Sequence, residues 1–321
     1  MRVMLLGATG TIGRATATAL IAAGHEVVLF VRKGGSGDAR RGLPEQAILR
    51  FGDVLDPASL RRDGFAGERF DALVSCLASR SGVPADAWAI DHQAHVGALA
   101  EARLAGVGQM VLLSAICVQR PLLAFQQAKL AFETKLMASG LTYSIVRPTA
   151  FFKSLSGQVL RVQAGKPFLV FGNGQLTACK PISDGDLGRF IAACLTDVSL
   201  QNRVLPIGGP GPAITPLQQA EVLFGLLGQA PKLRHVPVGM LDAIIATLSV
   251  LGRFSPKLRD KAELARIGRY YGTESMLVLN PATGRYDAEA TPETGSETLA
   301  RFYAGLIAGK IKADLGEHAV F

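Results

Sequence analysis

The chain has 321 residues, 49% of them apolar and 19% charged, which suits one large α/β domain with an elaborated second lobe and excludes extensive disorder. Its net charge of +8 raises nucleic acid or an anionic membrane surface as partners. The cations are spread along the chain with no basic run interleaved with aromatics, so no nucleic acid is expected, and an anionic cofactor and substrate account for part of the charge.

The first predicted strand, Val3 to Leu6, runs straight into Gly7-Ala8-Thr9-Gly10-Thr11-Ile12-Gly13, and a helix-like stretch, Ala15 to Ala23, follows. A strand, glycine loop and helix in this order bring backbone amides and a positive helix end to a pyrophosphate. Gly7 allows the tight turn, Gly10 admits the phosphates and Gly13 lets the helix close on the strand. Thr9, Thr11 and Ile12 fill the loop and join these glycines as expected cofactor contacts. The GxxGxxG spacing points to the extended branch of the short-chain reductases. The second strand, Glu26 to Val31, ends in Arg32-Lys33, where NAD-preferring sites place an acid for the ribose hydroxyl. Two cations there suit the 2′-phosphate of NADPH, the expected cofactor, rather than a merely solvated strand end.

Further strands are predicted at Ala47–Phe51, Asp71–Cys76, Met110–Ser114 and Tyr143–Val146, with helices over Asp86–Ala105 and Leu123–Ser139. The alternation predicts a Rossmann-like, doubly wound parallel sheet, whose site lies beyond the carboxyl ends of its strands. Asp53, Val54, Leu77, Ala78, Ser114, Pro148 and Phe151 follow those ends and are expected at the cofactor. Asp53 is assigned equally to the adenine amino group or to helix entry before Pro57. Ordinary short-chain dehydrogenases place a tyrosine four residues before a lysine, as proton donor to a carbonyl. Here Phe125 precedes Lys129, and phenylalanine exchanges no proton, so reduction of a carbon–carbon double bond is expected instead. Lys129 is the expected catalytic residue, holding the nicotinamide ribose or donating. His92 and His95 stand three apart on one helix without a third ligand, and read as surface or core histidines rather than a metal site.

After Pro148 the alternation loosens. Residues 1–148 are expected to form the NADP-binding domain and 149–321 mainly a smaller C-terminal substrate-binding lobe, with about 184–210 returning to the sheet. Gly172-Asn173-Gly174 predicts a hairpin between Phe168–Phe171 and Gln175–Lys180. Thr215-Pro216 predicts a helix start. Met240 to Leu251 is apolar apart from Asp242 but well short of the ~18 residues of a membrane span; a buried helix is expected there, with peripheral membrane contact as the alternative. Cys76, Cys117, Cys179 and Cys194 show no metal-ligand spacing, and the first strand starts at Arg2, so a cytoplasmic protein without metal or cleaved leader is expected.

The runs RPTAFFKSL (Arg147 to Leu155), ACKPIS (Ala178 to Ser183) with Asp186-Leu187, and VLPIGGPG (Val204 to Gly211) closely resemble the divinyl chlorophyllide a 8-vinyl-reductases. So do QQAKL (Gln126 to Lys129 and Leu130), YDAE (Tyr286 to Glu289) and the ending LGEHAVF (Leu315 to Phe321), and the likeness extends from Met1 to Phe321. The resemblance implies NADPH-dependent reduction of the 8-vinyl group of a divinyl (proto)chlorophyllide, a magnesium tetrapyrrole, to ethyl. It implies a photosynthetic bacterium, since the long leading extension of the plant forms is lacking. The chemistry fits: hydride added to the terminal vinyl carbon leaves a carbanion spread over the electron-poor ring, so no acid aimed at a carbonyl oxygen is needed. A broad apolar substrate with one propionate suggests Phe151 or Phe152 against the macrocycle and Lys153 or Lys180 at the carboxylate, with Cys179 beside them. Two other readings are an isoflavone-reductase-like reductase of another conjugated alkene or quinone, and a non-enzymatic NmrA-like cofactor sensor.

Overall fold

The computed structural model describes residues 1–32, 40 and 42–311. The chain runs β1 (Arg2–Leu6), α1 (Thr11–Ala22), β2 (Glu26–Val31), β3 (Ile48–Phe51), α2 (Pro57–Ser59), β4 (Ala72–Ser75), α3 (Pro84–Ala87), α4 (His95–Leu104), β5 (Gln109–Leu113), α5 (Ala124–Met137) and β6 (Thr142–Pro148). It continues with α6 (Gly157–Gln163), β7 (Phe168–Phe171), α7 (Asp184–Ala193), β8 (Arg203–Ile207), α8 (Pro216–Leu227), β9 (Leu233–Val236), α9 (Val238–Leu251), α10 (Pro256–Thr273), β10 (Val278–Asn280), β11 (Arg285–Asp287) and α11 (Leu299–Ile307). A π-wound segment, Trp88–Ala94, joins α3 to α4.

Two compact units divide these elements. The first comprises Met1–Ser79, Pro84–Pro148 and Asp184–Pro206; the second comprises Arg80–Val83, Thr149–Ser183 and the described residues from Ile207 onward. The first unit carries a seven-stranded sheet in the order β3-β2-β1-β4-β5-β6-β8, and the strand pairs from β3 to β6 are parallel. All of β4 and β5 is buried, as are Val3 to Leu6 of β1, which is why these strands read as unbroken apolar runs. Met4, Leu6, Val28, Leu73, Met110 and Ile145 meet Phe132 and Leu136 of α5 in one core. The expected doubly wound α/β sheet is present.

In the second unit, Phe152, Val159, Phe168, Phe224 and Tyr303 build a separate core. The Tyr303 hydroxyl donates to the Leu155 carbonyl at 2.8 Å, which satisfies its polar end inside that core. Helix α8 starts as expected: Thr215 caps it, Pro216 takes the first position, and Gln218 Oε1 accepts from the Thr215 amide at 2.9 Å.

Two local expectations are corrected. The glycines at 172 and 174 do turn the chain, but β7 pairs in parallel with β9, so no hairpin forms with Gln175–Lys180. Cys179 in that segment instead bridges to Ile214 and Met276. A turn signal fixes where the chain bends; a distant strand decided the pairing. The second correction concerns α9, a helix in which no residue is buried. Its apolar sequence had suggested a core helix.

Candidate active site

The order of the sheet reverses between β1 and β4, the switch point at which open α/β sheets hold ligands. The glycine loop follows β1 on one side of this point and residues 76–79 follow β4 on the other. Gly7 has φ +76°, and a Cβ there would stand 2.6 Å from the Cys76 carbonyl carbon. A Cβ on Gly13 would stand 2.1 Å from the Gly7 carbonyl oxygen, so the helix can close on its own loop only without a side chain there. Gly10 differs. A Cβ there would meet only the Gly7 carbonyl oxygen, at 3.5 Å, and the residue is exposed together with Thr9. Internal packing therefore does not require Gly10, whereas close approach of a phosphate would. Helix α1 begins with no side-chain cap and no acid in its first turn, which leaves the positive end of its dipole uncompensated. This cradle fits a pyrophosphate.

Arg32 is exposed directly after β2, while Lys33 lies outside the described residues. One turn into α1, the Arg14 Nε is buried without a hydrogen-bond partner among the described residues. Beyond β3, Asp53 is exposed and its Oδ1 accepts from the Leu55 amide at 2.9 Å. Asp56 rather than Asp53 caps the helix at Pro57, accepting from the Ala58 amide at 3.0 Å, so the helix-entry role passes to it. Val54 is buried, Leu77 half-buried and Ala78 exposed.

Lys129 is buried on α5, and its ammonium donates to Asp91 Oδ1 at 2.9 Å. The π-wound Trp88–Ala94 segment supplies Asp91, and such segments recur at functional sites. The same oxygen accepts from the Ser79 amide at 3.3 Å, while Asp91 Oδ2 is buried and unpartnered among the described residues. Phe125, four residues before Lys129, is also buried. His95 Nδ1 lies 2.9 Å from the Ile90 carbonyl, which can only accept, so Nδ1 carries the proton and Nε2 accepts from the Ser75 hydroxyl at 2.8 Å. Burial, aided by the Lys129 ammonium, lowers the His95 pKa to about 4 and keeps the ring neutral. His92 stacks edge-on against Trp88. Among the described residues no cluster of metal-ligating side chains occurs.

Ser114 is buried and its hydroxyl donates to Glu133, which also accepts from Arg147. That bond turns the Ser114 proton toward α5 and makes the residue a support of the strand end. Pro148 is buried at the end of β6. Burial pushes the Cys76, Cys179 and Cys194 thiols up to about 12, so none of the three supplies a thiolate at neutral pH.

In the second unit the segments that carry the expected substrate residues lie side by side, with the Phe152 amide donating to the Ile182 carbonyl at 3.1 Å, but the side chains differ in exposure. Phe151 is half-buried and bridges to Ile182. Phe152 is buried in the core, its ring 5.4 Å from that of Phe302, so it is not available to a macrocycle. Lys153 is half-buried in a short turn. Lys180 is buried, donates to the Thr291 carbonyl at 3.2 Å and faces Glu293 at 3.7 Å, which supplies a carboxylate already. Cys179 is buried between its two bridges. A concavity of about 530 Å³ lined by Arg61, Glu68 and Glu101 precedes β4 and β5, at the opposite strand ends from the glycine loop.

Residues 7–198 match the NAD(P)H-binding family. The chain is 48% identical to the divinyl chlorophyllide a 8-vinyl-reductase, chloroplastic, of Zea mays, over 99% of this chain and 82% of the relative. The chain belongs to the divinyl chlorophyllide a 8-vinyl-reductase family. Among solved structures, this member of the 8-vinyl-reductase family is similar in fold to leucoanthocyanidin reductase of Vitis vinifera in binary complex with NADPH. The TM-score is 0.70 at 16% identity, covering 96% of this chain and all (100%) of the other. The NADPH-dependent quinone oxidoreductase QOR2 of Escherichia coli gives a TM-score of 0.66 at 18% identity, covering 95% and 99%.

Asp91, Glu133 and Arg147 were not singled out in the sequence as side chains that hold the site. A signal for Asp91 was present. It falls in the register Ala87, Asp91, His95, Ala98, an inward helical stripe in which an acid needs a partner.

Proposed function

We propose that this 8-vinyl-reductase family member reduces the 8-vinyl group of a 3,8-divinyl (proto)chlorophyllide to ethyl with NADPH, in chlorophyll or bacteriochlorophyll synthesis. The observation that carries the reading is 48% identity along essentially the whole chain to a protein of that activity. The replacement of the tyrosine acid by the buried Phe125 beside Lys129 supports it.

Bound NADPH supplies the hydride. The open face at Gly10 and the start of α1 hold the pyrophosphate. Arg32, with Arg14 as a second cation, meets the 2′-phosphate, and this selects NADPH over NADH. Among the described residues the Lys129 ammonium donates to Asp91, and an ammonium carries three donors, which leaves donors for the nicotinamide ribose. Asp91 fixes that ammonium in place. Phe151 flanks the macrocycle and Lys153 reads the propionate. The conjugated ring accepts the charge that develops after hydride addition, so Phe125 costs the reaction nothing. The four cysteines are free thiols, in keeping with a cytoplasmic enzyme.

The test is direct. Purified protein is incubated with divinyl chlorophyllide a and NADPH or NADH, and the pigments are separated by chromatography. The 8-ethyl product should appear with NADPH and far more slowly with NADH; no product with either would overturn the reading.

A further inference from the structure

We infer that the α9–α10 hairpin of this protein docks on an anionic lipid surface, with α9 lying in the plane of the interface. Met240, Ile244, Val250, Leu251 and Phe254 are all exposed, Phe254 at 87%. Helical spacing sets Met240, Ile244, Val250 and Leu251 on one face of α9, Ala243 and Thr247 fill the gaps, and Phe254 follows in the turn beyond the helix. A soluble surface rarely leaves such a stripe open without an occupant.

The polar groups of α9 are already satisfied within the hairpin. Thr247 donates to the Ala243 carbonyl at 2.9 Å and Ser249 to the Ile245 carbonyl at 2.6 Å, so both hydroxyls turn back onto the helix. Asp242, the only charged residue of α9, is paired with Arg269. The side chains of α9 therefore bring no unpaired hydroxyl or charge to an apolar interface. Immediately beyond it stand Arg253, Lys257, Arg259 and Lys261, all exposed and none in an ion pair among the described residues, against the single acid Asp260. An apolar helical face bordered by cations matches the boundary between acyl chains and anionic headgroups.

Other occupants fit less well. A second copy would set these cations against their own counterparts across a two-fold axis. One tetrapyrrole carries too few charges for four cations and is too small for a helix about 21 Å long.

The experiment is co-sedimentation of the full protein with vesicles of phosphatidylcholine alone, or with roughly a third phosphatidylglycerol. The unmodified protein should bind the anionic vesicles and not the neutral ones, and added salt should release it. Phe254→Ser should weaken binding on the order of tenfold through lost apolar burial, and Arg253→Glu with Lys257→Glu by at least about as much. Both variants alter exposed residues, and their turnover of water-soluble substrate should be unchanged. Unmodified protein left in the supernatant with anionic vesicles, or variants that bind like the parent, would overturn the inference. So would sedimentation velocity showing a dimer that Phe254→Ser dissociates, since the face would then belong to a second copy.

Discussion

Lys129 and Asp91 form a buried ion pair in which removal of either partner strands the other. If Lys129 holds the nicotinamide ribose as proposed, Lys129→Ala should lower kcat at saturating NADPH by about a hundredfold, through loss of the contact that orients the reacting ring. Asp91→Asn keeps an acceptor oxygen and should retain most of the turnover that Asp91→Ala loses. Phe125→Tyr should bring no gain, since no carbonyl oxygen awaits a proton. Near-normal kcat in Lys129→Ala would remove that residue from the site. The contact proposed for Arg32, with the 2′-phosphate of NADPH, is of a different kind, equal in ground and transition states. Arg32→Ala should therefore raise the KM for NADPH by about tenfold with little change in kcat, and initial rates against NADPH concentration check it. Lys153→Ala should weaken binding of the free-acid pigment, with no penalty for its methyl ester. Fluorescence titration of both pigments separates the cases, and equal penalties would free Lys153 of the carboxylate.

Elements carry the pH dependence. Ser75 ends β4, His95 starts α4, and their hydrogen bond ties strand to helix. His95 has a folded pKa of about 4 against an ordinary 6.5. Between these values the unfolded chain binds the extra proton, so this contribution is complete above pH 6.5 and is lost as pH falls toward 4. It amounts to on the order of 3 kcal/mol at most. Urea midpoints across that window should fall with pH in the parent and fall less in His95→Gln. The elements were largely legible in the sequence, because strands buried on both faces leave unbroken apolar runs and the glycine loop has a fixed order. What escaped was non-local. The partner of β7 is β9, some sixty residues away, and no turn residue encodes it. The outward face of α9 escaped for a related reason, since apolarity records what a helix avoids and not what covers it. Asp91 was hidden because an acid on a helix reads as solvated until Lys129 is seen beside it.

At the scale of the whole molecule, the sheet supplies a phosphate cradle and a fixed lysine, and the proposed substrate supplies its own electron sink. That division accounts for a Rossmann-like frame with Phe125 four residues before Lys129, and it fixes where each hydrogen of the new ethyl group originates. The most direct measurement is reduction of divinyl chlorophyllide a with NADPH deuterated at the transferable C4 position, in ordinary water, followed by mass spectrometry and NMR of the pigment. One deuterium in the terminal methyl of the 8-ethyl group, with the inner carbon protonated from solvent, is the predicted result. Deuterium on the inner carbon, deuterium nowhere in the pigment, or an unchanged vinyl group would contradict it.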